Sequence, residues 1–251
     1  MSYTVEPIGV LHTCFTDKFG IPRQPGLVTK AEGIIRLNND YKLRRALHRL
    51  EEFSHLWVLF WFHANHSKGW KSAVRPPRLG GKSRVGVLAT RSPHRPNPIG
   101  LSVVQILKID TEAKAGPEIW VSGVDVLDQT PVIDIKPYIA YADSHPGASQ
   151  GWADSSRAQT AVRFDPSVIE SIEKLEDSLE TQGLKELIEE VVSQDPRPAS
   201  QKAKYPIDDA RGFNREFLVE IGGADIRWQI TETGFVVTHV GEKRTRKTER
   251  G

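Results

Sequence analysis

Apolar positions in the first 140 residues come in short runs rich in β-branched and aromatic side chains: YTVEPIGVL (3–11), GIIRL (33–37), HLWVLFWFH (55–63), RVGVLA (84–89), LSVVQILKI (101–109), EIWVSGVDVL (118–127) and VIDIKPYI (132–139). Runs of this length, broken by Gly, Pro and Asn, predict a β-barrel or sandwich. One helix interrupts them: Asn39 or Asp40 can cap it, and Leu43, Ala46, Leu47 and Leu50 recur at helical spacing. Residues 141–159 are polar, Gly/Ser-rich and without period, and read as a linker or exposed loop. Beyond them AVRFD is a short strand. Asp165-Pro166 then supplies a cap with proline at the first helical position, and Val168, Ile169, Ile172, Leu175 and Leu179 mark one face. Gly183 ends that helix, LKELIEEVV forms a second one before DPRPA, and REFLVEI, DIRWQI and FVVTHV form a small sheet around the GGA and TETG turns. The pattern predicts a mainly β protein: a β-barrel or sandwich domain over 1–145, a small α+β domain over 160–240 and a basic tail over 241–251.

Composition narrows the class. The 251 residues are 38% apolar and 26% charged, enough for a sizeable core. The longest apolar run, 56–62, is too short to span a bilayer, and the N-terminus lacks the basic and apolar segments of a signal peptide, so the expected location is cytoplasmic with no membrane partner. Cys14 is the single cysteine, which excludes an intrachain disulfide and a cysteine-built metal site; it reads as a small core residue in a strand. The net charge of +2 hides a segregation of sign: residues 53–109 contain no Asp or Glu but hold Lys68, Lys71, Arg75, Arg78, Lys82, Arg84, Arg91, Arg95 and Lys108. Such a run is either a solvated face or a surface for a polyanion, and its length favours the polyanion. Residues 165–195 are the reverse, with ten acids against Lys174 and Lys185.

Familiar catalytic signatures are missing. Neither G-x-G-x-x-G nor a complete phosphate loop occurs; Gly80-Gly81-Lys82-Ser83 lacks the upstream glycine and runs into an apparent strand. His63 and His66 have no neighbouring carboxylate to complete a metal set, and no G-x-S-x-G elbow or aromatic RNA-binding signature occurs. What remains is a set of polar turns at strand ends: DKFGIPRQPGL, WKSAVRPPRLGGKSR, ATRSPHRPNPIG and DVLDQTPVIDIKPYI. In the third, Pro93, Pro96 and Pro98 remove backbone N–H groups and fix φ, which predicts a pre-set loop between two strands. Loops on a rigid barrel are where binding residues concentrate.

At these segments the chain resembles the TrmO-type (TsaA-like) tRNA N6-methyltransferases, through PRQPGL, VRPPRLGG, ATRS-x-x-RPNPIG and D-x-L-D-x-TPV-x-DIKPY in order, and more weakly through DPRPA and the DIRWQIT strand. The resemblance implies a barrel unlike the doubly wound methyltransferase fold, a homodimer, S-adenosylmethionine as cofactor, and tRNA as partner. The implied acceptor is N6 of threonylcarbamoyladenosine at position 37, next to the anticodon. It further implies cofactor contacts at Arg23, Gln24 and Pro25, at His63 and Ala64, at Arg91 and Leu101, and at Asp125, Val126, Leu127 and Asp128. No metal is expected. A carbamoylated N6 is a poor nucleophile until its proton is polarised or removed, so Asp128 and Asp134 are candidate acceptors of that proton, with Lys136 and Tyr138 able to orient the carbamoyl oxygen. The catalytic assignment on that basis is Asp134, Lys136 and Tyr138, although Asp134 and Lys136 could equally form a same-face ion pair. The alternatives in function are a non-catalytic RNA-binding barrel and a methyltransferase of a small nucleotide.

Overall fold

The computed structural model describes residues 4–79, 83–153, 159–179 and 182–243. In chain order the elements are β1 (Gly9–Thr13), β2 (Glu32–Leu37), α1 (Tyr41–Ala46), β3 (His55–Trp61), β4 (Ala73–Val74), β5 (Val85–Gly86), β6 (Ile99–Asp110), β7 (Glu118–Ser122), β8 (Thr130–Pro137) and α2 (Ala140–Asp143). They are followed by β9 (Val162–Phe164), α3 (Ile169–Ser178), α4 (Leu184–Ser193), α5 (Ala199–Lys204), β10 (Glu216–Ile221), β11 (Ala224–Thr231) and β12 (Gly234–Glu242). The chain divides into two units, Met1–Thr13 with Arg23–Ala158, and Cys14–Pro22 with Gln159–Gly251.

The first unit is built on a closed barrel in the order β1-β2-β7-β6-β3-β8. Alternation drives it: Leu11, Ile35, Leu37, Leu56, Val58, Phe60, Val104, Ile119 and Val132 are buried while their neighbours along each strand are not. At Gly100 the wall allows no side chain, because a Cβ would stand 2.2 Å from the Phe60 ring. Every neighbouring strand pair is antiparallel. Three connections therefore leave from one mouth, namely 14–31, 62–98 and 123–129, and these contain three of the four polar turns.

The strands depart from the sequence pattern in three places, the first being EIWVSGVDVL, which stops as a strand at Ser122 and leaves 123–127 in a connection. Residues 4–8 stay outside β1, where Pro7 has no N–H to give a ladder. RVGVLA is not a barrel strand: only Val85–Gly86 pair, with Ala73–Val74 in a short ladder, and Val87–Ala89 then turn helically as Val87 N donates to Ser72 O (3.0 Å). The expected helix is short, with Asp40 accepting from Lys42 N (2.6 Å) at its start. Cys14 is half-buried and lies beyond the end of β1 instead of within a strand.

The second unit is α+β, with a sheet in the order β10-β11-β12-β9 in which β9 pairs parallel to β12. Its core centres on Trp228, Phe217 and Phe235, which α3 and α4 supplement with Ile172, Leu175, Ile188 and Val192. Asp165 caps as expected by accepting from Ser167 N (2.9 Å), and Gly222 and Gly223 take φ of +58° and +82° in the β10–β11 turn. Residues 14–22, which the sequence pattern leaves within 1–145, group with this unit: Phe15 is fully buried, and Gly222 N donates to Cys14 O (3.0 Å). Lys82 and residues 244–251 of the basic tail lie outside the described residues, as do the side chains of His66, Lys68 and Arg78.

Candidate active site

The three connections at the barrel mouth are tied to one another by backbone. Gly26 N donates to Gly123 O (2.9 Å), and Gly123 N and Val124 N both reach Ala31 O (2.9 and 3.2 Å). Gly26 and Gly123 have φ of +74° and +77°, and a Cβ on Gly123 would press against Gly26 at 3.3 Å, so this junction requires glycine. The first connection is thereby fixed against the third. The second is closed at its base by Phe62 N, which donates to Pro98 O (2.8 Å).

The proline loop has few amides, and short side chains use them. Thr90 Oγ1 donates to Val87 O (2.7 Å) and accepts from Ser92 N (3.2 Å); Ser92 Oγ accepts from His94 N (3.3 Å). Arg95 Nη1 returns to Thr90 O (3.0 Å), so one turn of chain is stitched across its own base. Arg91 projects from this loop and donates to Gln24 Oε1 of the first connection.

Asp125, on the third connection, lies within the electrostatic reach of Arg91 and accepts from Ser102 Oγ of β6 (2.6 Å). Burial pushes its carboxyl up from 3.8 to about 6, against the Ser102 hydrogen bond, a backbone hydrogen bond and the charge of Arg91. Gln24, Arg91 and Asp125 thus bring all three connections to one place. Asp128 has a different job. It accepts from Thr13 N (2.9 Å), while Thr13 Oγ1 donates to Val126 O (3.0 Å) and Thr130 Oγ1 to Leu127 O (2.6 Å), so the third connection is pinned to the end of β1. Val126 is buried beneath it.

Arg23 is exposed, Pro25, His63 and Ala64 are half-buried, and all four lie on the same connections. Leu101 is on β6 with its side chain outward and 50% exposed. Asp134, Lys136 and Tyr138 do not join this cluster. Asp134 pairs with Lys136 at 2.7 Å on the outside of β8, in register with Leu59 and Trp57 of β3. Tyr138 N donates to His55 O (3.0 Å) at the opposite mouth, about 26 Å down the strand from Thr130, and the Tyr138 ring packs on Trp57 and His55. The sequence reading missed Ser102 and Thr13. Ser102 was legible as a polar residue at an inward position of an alternating strand; Thr13 carried no signal of its own.

The shift at Asp125 has a measurable consequence. Its folded value lies above the unfolded one, so the folded protein holds the extra proton between pH 4 and 6 and loses stability as pH rises through that window. The neutral amide of Asp125→Asn escapes this penalty. It is expected to raise unfolding free energy at pH 7.5 by up to about 3 kcal/mol and to give no gain at pH 4. Chemical denaturation at both pH values checks this, and equal effects at the two would show that burial of the charge is not what the site stores.

A closed antiparallel barrel that gathers a buried carboxylate, an arginine and a rigid proline loop at one mouth is a small-ligand-binding barrel, unrelated in topology to parallel-sheet nucleotide folds. The chain belongs to the TrmO family: the tRNA-methyltransferase O N-terminal domain matches residues 10–144, and the TrmO C-terminal domain matches residues 157–243. It is 41% identical to the tRNA (adenine(37)-N6)-methyltransferase of Escherichia coli over 94% of this chain and 97% of that one. A putative S-adenosylmethionine-dependent methyltransferase of Pseudomonas aeruginosa is also 41% identical, covering 91% of this chain and 93% of its own length. The crystal structure of TrmO from Pseudomonas aeruginosa superposes with a TM-score of 0.77 at 35% identity, over 97% of this chain and 98% of that one.

Proposed function

We infer that the chain is an S-adenosylmethionine-dependent methyltransferase of N6 of adenine 37 in tRNA, and that the adenine it takes carries a threonylcarbamoyl group. The meeting of Gln24, Arg91 and Asp125 at one barrel mouth carries this reading, in a chain so similar to an enzyme named for that reaction. The donor set fits the cofactor. A buried carboxylate held by one side-chain hydroxyl and a backbone hydrogen bond suits a ligand with cationic centres, and an arginine oriented by Gln24 suits a carboxylate.

Bound S-adenosylmethionine supplies an electrophilic methyl group on a positively charged sulfur. The protein supplies position. Arg23, Gln24, Pro25, His63, Ala64, Arg91 and Asp125 to Asp128 line the mouth, the proline loop holds Arg91 with little freedom left to lose, and Asp128 keeps the third connection in place. The acceptor side needs a proton acceptor, the role of Asp134, with Lys136 and Tyr138 holding the carbamoyl group.

These three residues face away from their own mouth, and a homodimer resolves that. On the outside of β6 and β3, Ile99 and Leu101 are exposed beside Trp61 and Leu59, an apolar face on a surface that water would favour as polar. A second copy covers it in this reading. A two-fold axis lying in the plane of that face and perpendicular to its strands sets the far mouth of one barrel beside the loop mouth of the other, so that Asp134, Lys136 and Tyr138 serve the partner's cofactor loops. Among the described residues no helix is long and apolar enough to cross a membrane, and we place the reaction in the cytoplasm with its tRNA.

Mass spectrometry of tRNA nucleosides tests the reaction and the substrate together. A strain lacking this protein is expected to lose N6-methylated threonylcarbamoyladenosine and to accumulate the unmethylated nucleoside. Persistence of the methylated form would refute the assignment. A loss confined to plain N6-methyladenosine would keep the methyltransferase and overturn the threonylcarbamoyl substrate.

A further inference from the structure

The 62–98 connection carries a feature that the cofactor site does not use. Trp70 is 59% exposed, whereas Trp228 is fully buried and Trp57 is half-buried with its indole donating to Asp143 (3.0 Å). Among the described residues Trp70 has neither a hydrogen-bonding nor a ring partner. The backbone that follows it is nevertheless anchored. Lys71 N donates to His94 O of the proline loop (3.0 Å), Val87 N donates to Ser72 O (3.0 Å), and Ala73 and Val74 pair with Gly86 and Val85. The indole is therefore one residue from an anchor on the loop that bears Arg91.

Its surroundings select the partner. Lys71, Arg75 and Arg84 are exposed, with Arg75 and Arg84 flanking the Val74–Val85 rung, and the sequence from 53 to 109 contains no acid to offset them. An exposed aromatic ring next to an anchored stretch of backbone, within a segment of one-sign basic charge, is the arrangement that binds unpaired nucleic acid, with the ring stacking on a base and the cations following the phosphates. A hydrophobic protein partner would find too many unpaired charges here.

We propose that Trp70 is a stacking platform for an unpaired base of the anticodon loop adjacent to the target adenine, and that it sets the register in which that adenine is presented. This rests on the tRNA methyltransferase reading above. Stacking is not ionic, so Trp70 adds affinity without adding to the salt dependence, while Lys71, Arg75 and Arg84 supply that dependence.

The test uses the full-length protein, an anticodon stem-loop RNA with 2-aminopurine beside the target position, and S-adenosylmethionine calorimetry. Trp70→Ala is expected to weaken RNA binding about tenfold with an unchanged salt slope, and Trp70→Phe to recover most of the loss. The 2-aminopurine fluorescence quenched on binding to the wild type should stay unquenched with Trp70→Ala, and cofactor affinity should be the same for all three proteins. Joint neutralisation of Lys71, Arg75 and Arg84 is the contrast: a flatter salt slope with the quenching retained at saturation. RNA affinity of Trp70→Ala within twofold of wild type, or quenching that survives the substitution, overturns the proposal. So does loss of cofactor affinity in Trp70→Ala and Trp70→Phe alike, which would put the ring in the cofactor site or the fold. If the wild type itself binds no RNA, it is the tRNA methyltransferase reading that fails.

Discussion

Arg91→Ala is expected to weaken S-adenosylmethionine binding on the order of 100-fold, and Arg75→Ala to change it less than about twofold. The difference follows from position and not from charge, since both residues are exposed arginines in the same acid-free segment. Arg91 is held by Gln24 from the first connection and offsets the buried carboxylate of Asp125 on the third. Its loss frees Gln24, removes a charged donor from the mouth and leaves Asp125 with the Ser102 hydroxyl and a backbone hydrogen bond but no cation, so the carboxyl rises further and spends more time neutral near pH 7. A combined effect of about 3 kcal/mol corresponds to the stated fold-change. Arg91→Lys should recover little, because a point charge on a flexible stem does not reproduce the fork that engages both the Gln24 amide and a ligand carboxylate. Calorimetry on the three variants decides it. Equal losses for Arg91→Ala and Arg75→Ala would mean that the cofactor lies elsewhere on the basic surface.

The barrel strands were legible because each obeys period two, and β2, β3 and β6 start within two residues of the positions their apolar runs suggest. The site was legible in a weaker sense. The prolines and polar turns mark loops, but nothing in the order of the turns says that residues 24, 91 and 125 meet. That meeting depends on the barrel order β1-β2-β7-β6-β3-β8, in which β7 and β6 separate β2 from β3 and three connections share one mouth. The Ser102–Asp125 and Gln24–Arg91 contacts span 23 and 67 residues, so no local spacing announces them. RVGVLA misled for a physical reason. Its apolar residues look like a strand, yet the N–H of Val87 is taken by Ser72, and the chain turns before a third rung can pair. For Asp134 and Lys136 the sequence left a catalytic role and a same-face ion pair open, and the structure shows the pair on β8; their register on the outside of the barrel is what makes a second protomer part of the argument.

Mixing two inactive variants is expected to restore activity if the site is shared between protomers. Asp134→Asn removes the proton acceptor and should lower kcat about 100- to 10,000-fold with cofactor affinity unchanged, whereas Arg91→Ala should fail at cofactor binding. When the two homodimers exchange subunits, half of the dimers become mixed. In a mixed dimer whose sites each take cofactor loops from one chain and Asp134 from the other, one site carries both defects and the second carries neither. Recovery should therefore reach about a quarter of wild-type activity. A site built from a single chain cannot behave this way, because every chain in the mixture carries one lesion within its own site. Native mass spectrometry confirms that exchange has occurred, and activity is read on the same sample. Mixed dimers without recovery would return Asp134 to its own protomer, where β8 carries it down the outside of the barrel away from the loop mouth, and would end its candidacy as the proton acceptor. Near-normal activity of Asp134→Asn alone would reduce Asp134 and Lys136 to a surface ion pair. Introducing a charge at Ile99, as Ile99→Glu, should abolish recovery by preventing the apolar β6 faces from meeting, with the fold of each barrel intact because that side chain lies on the outer face of β6.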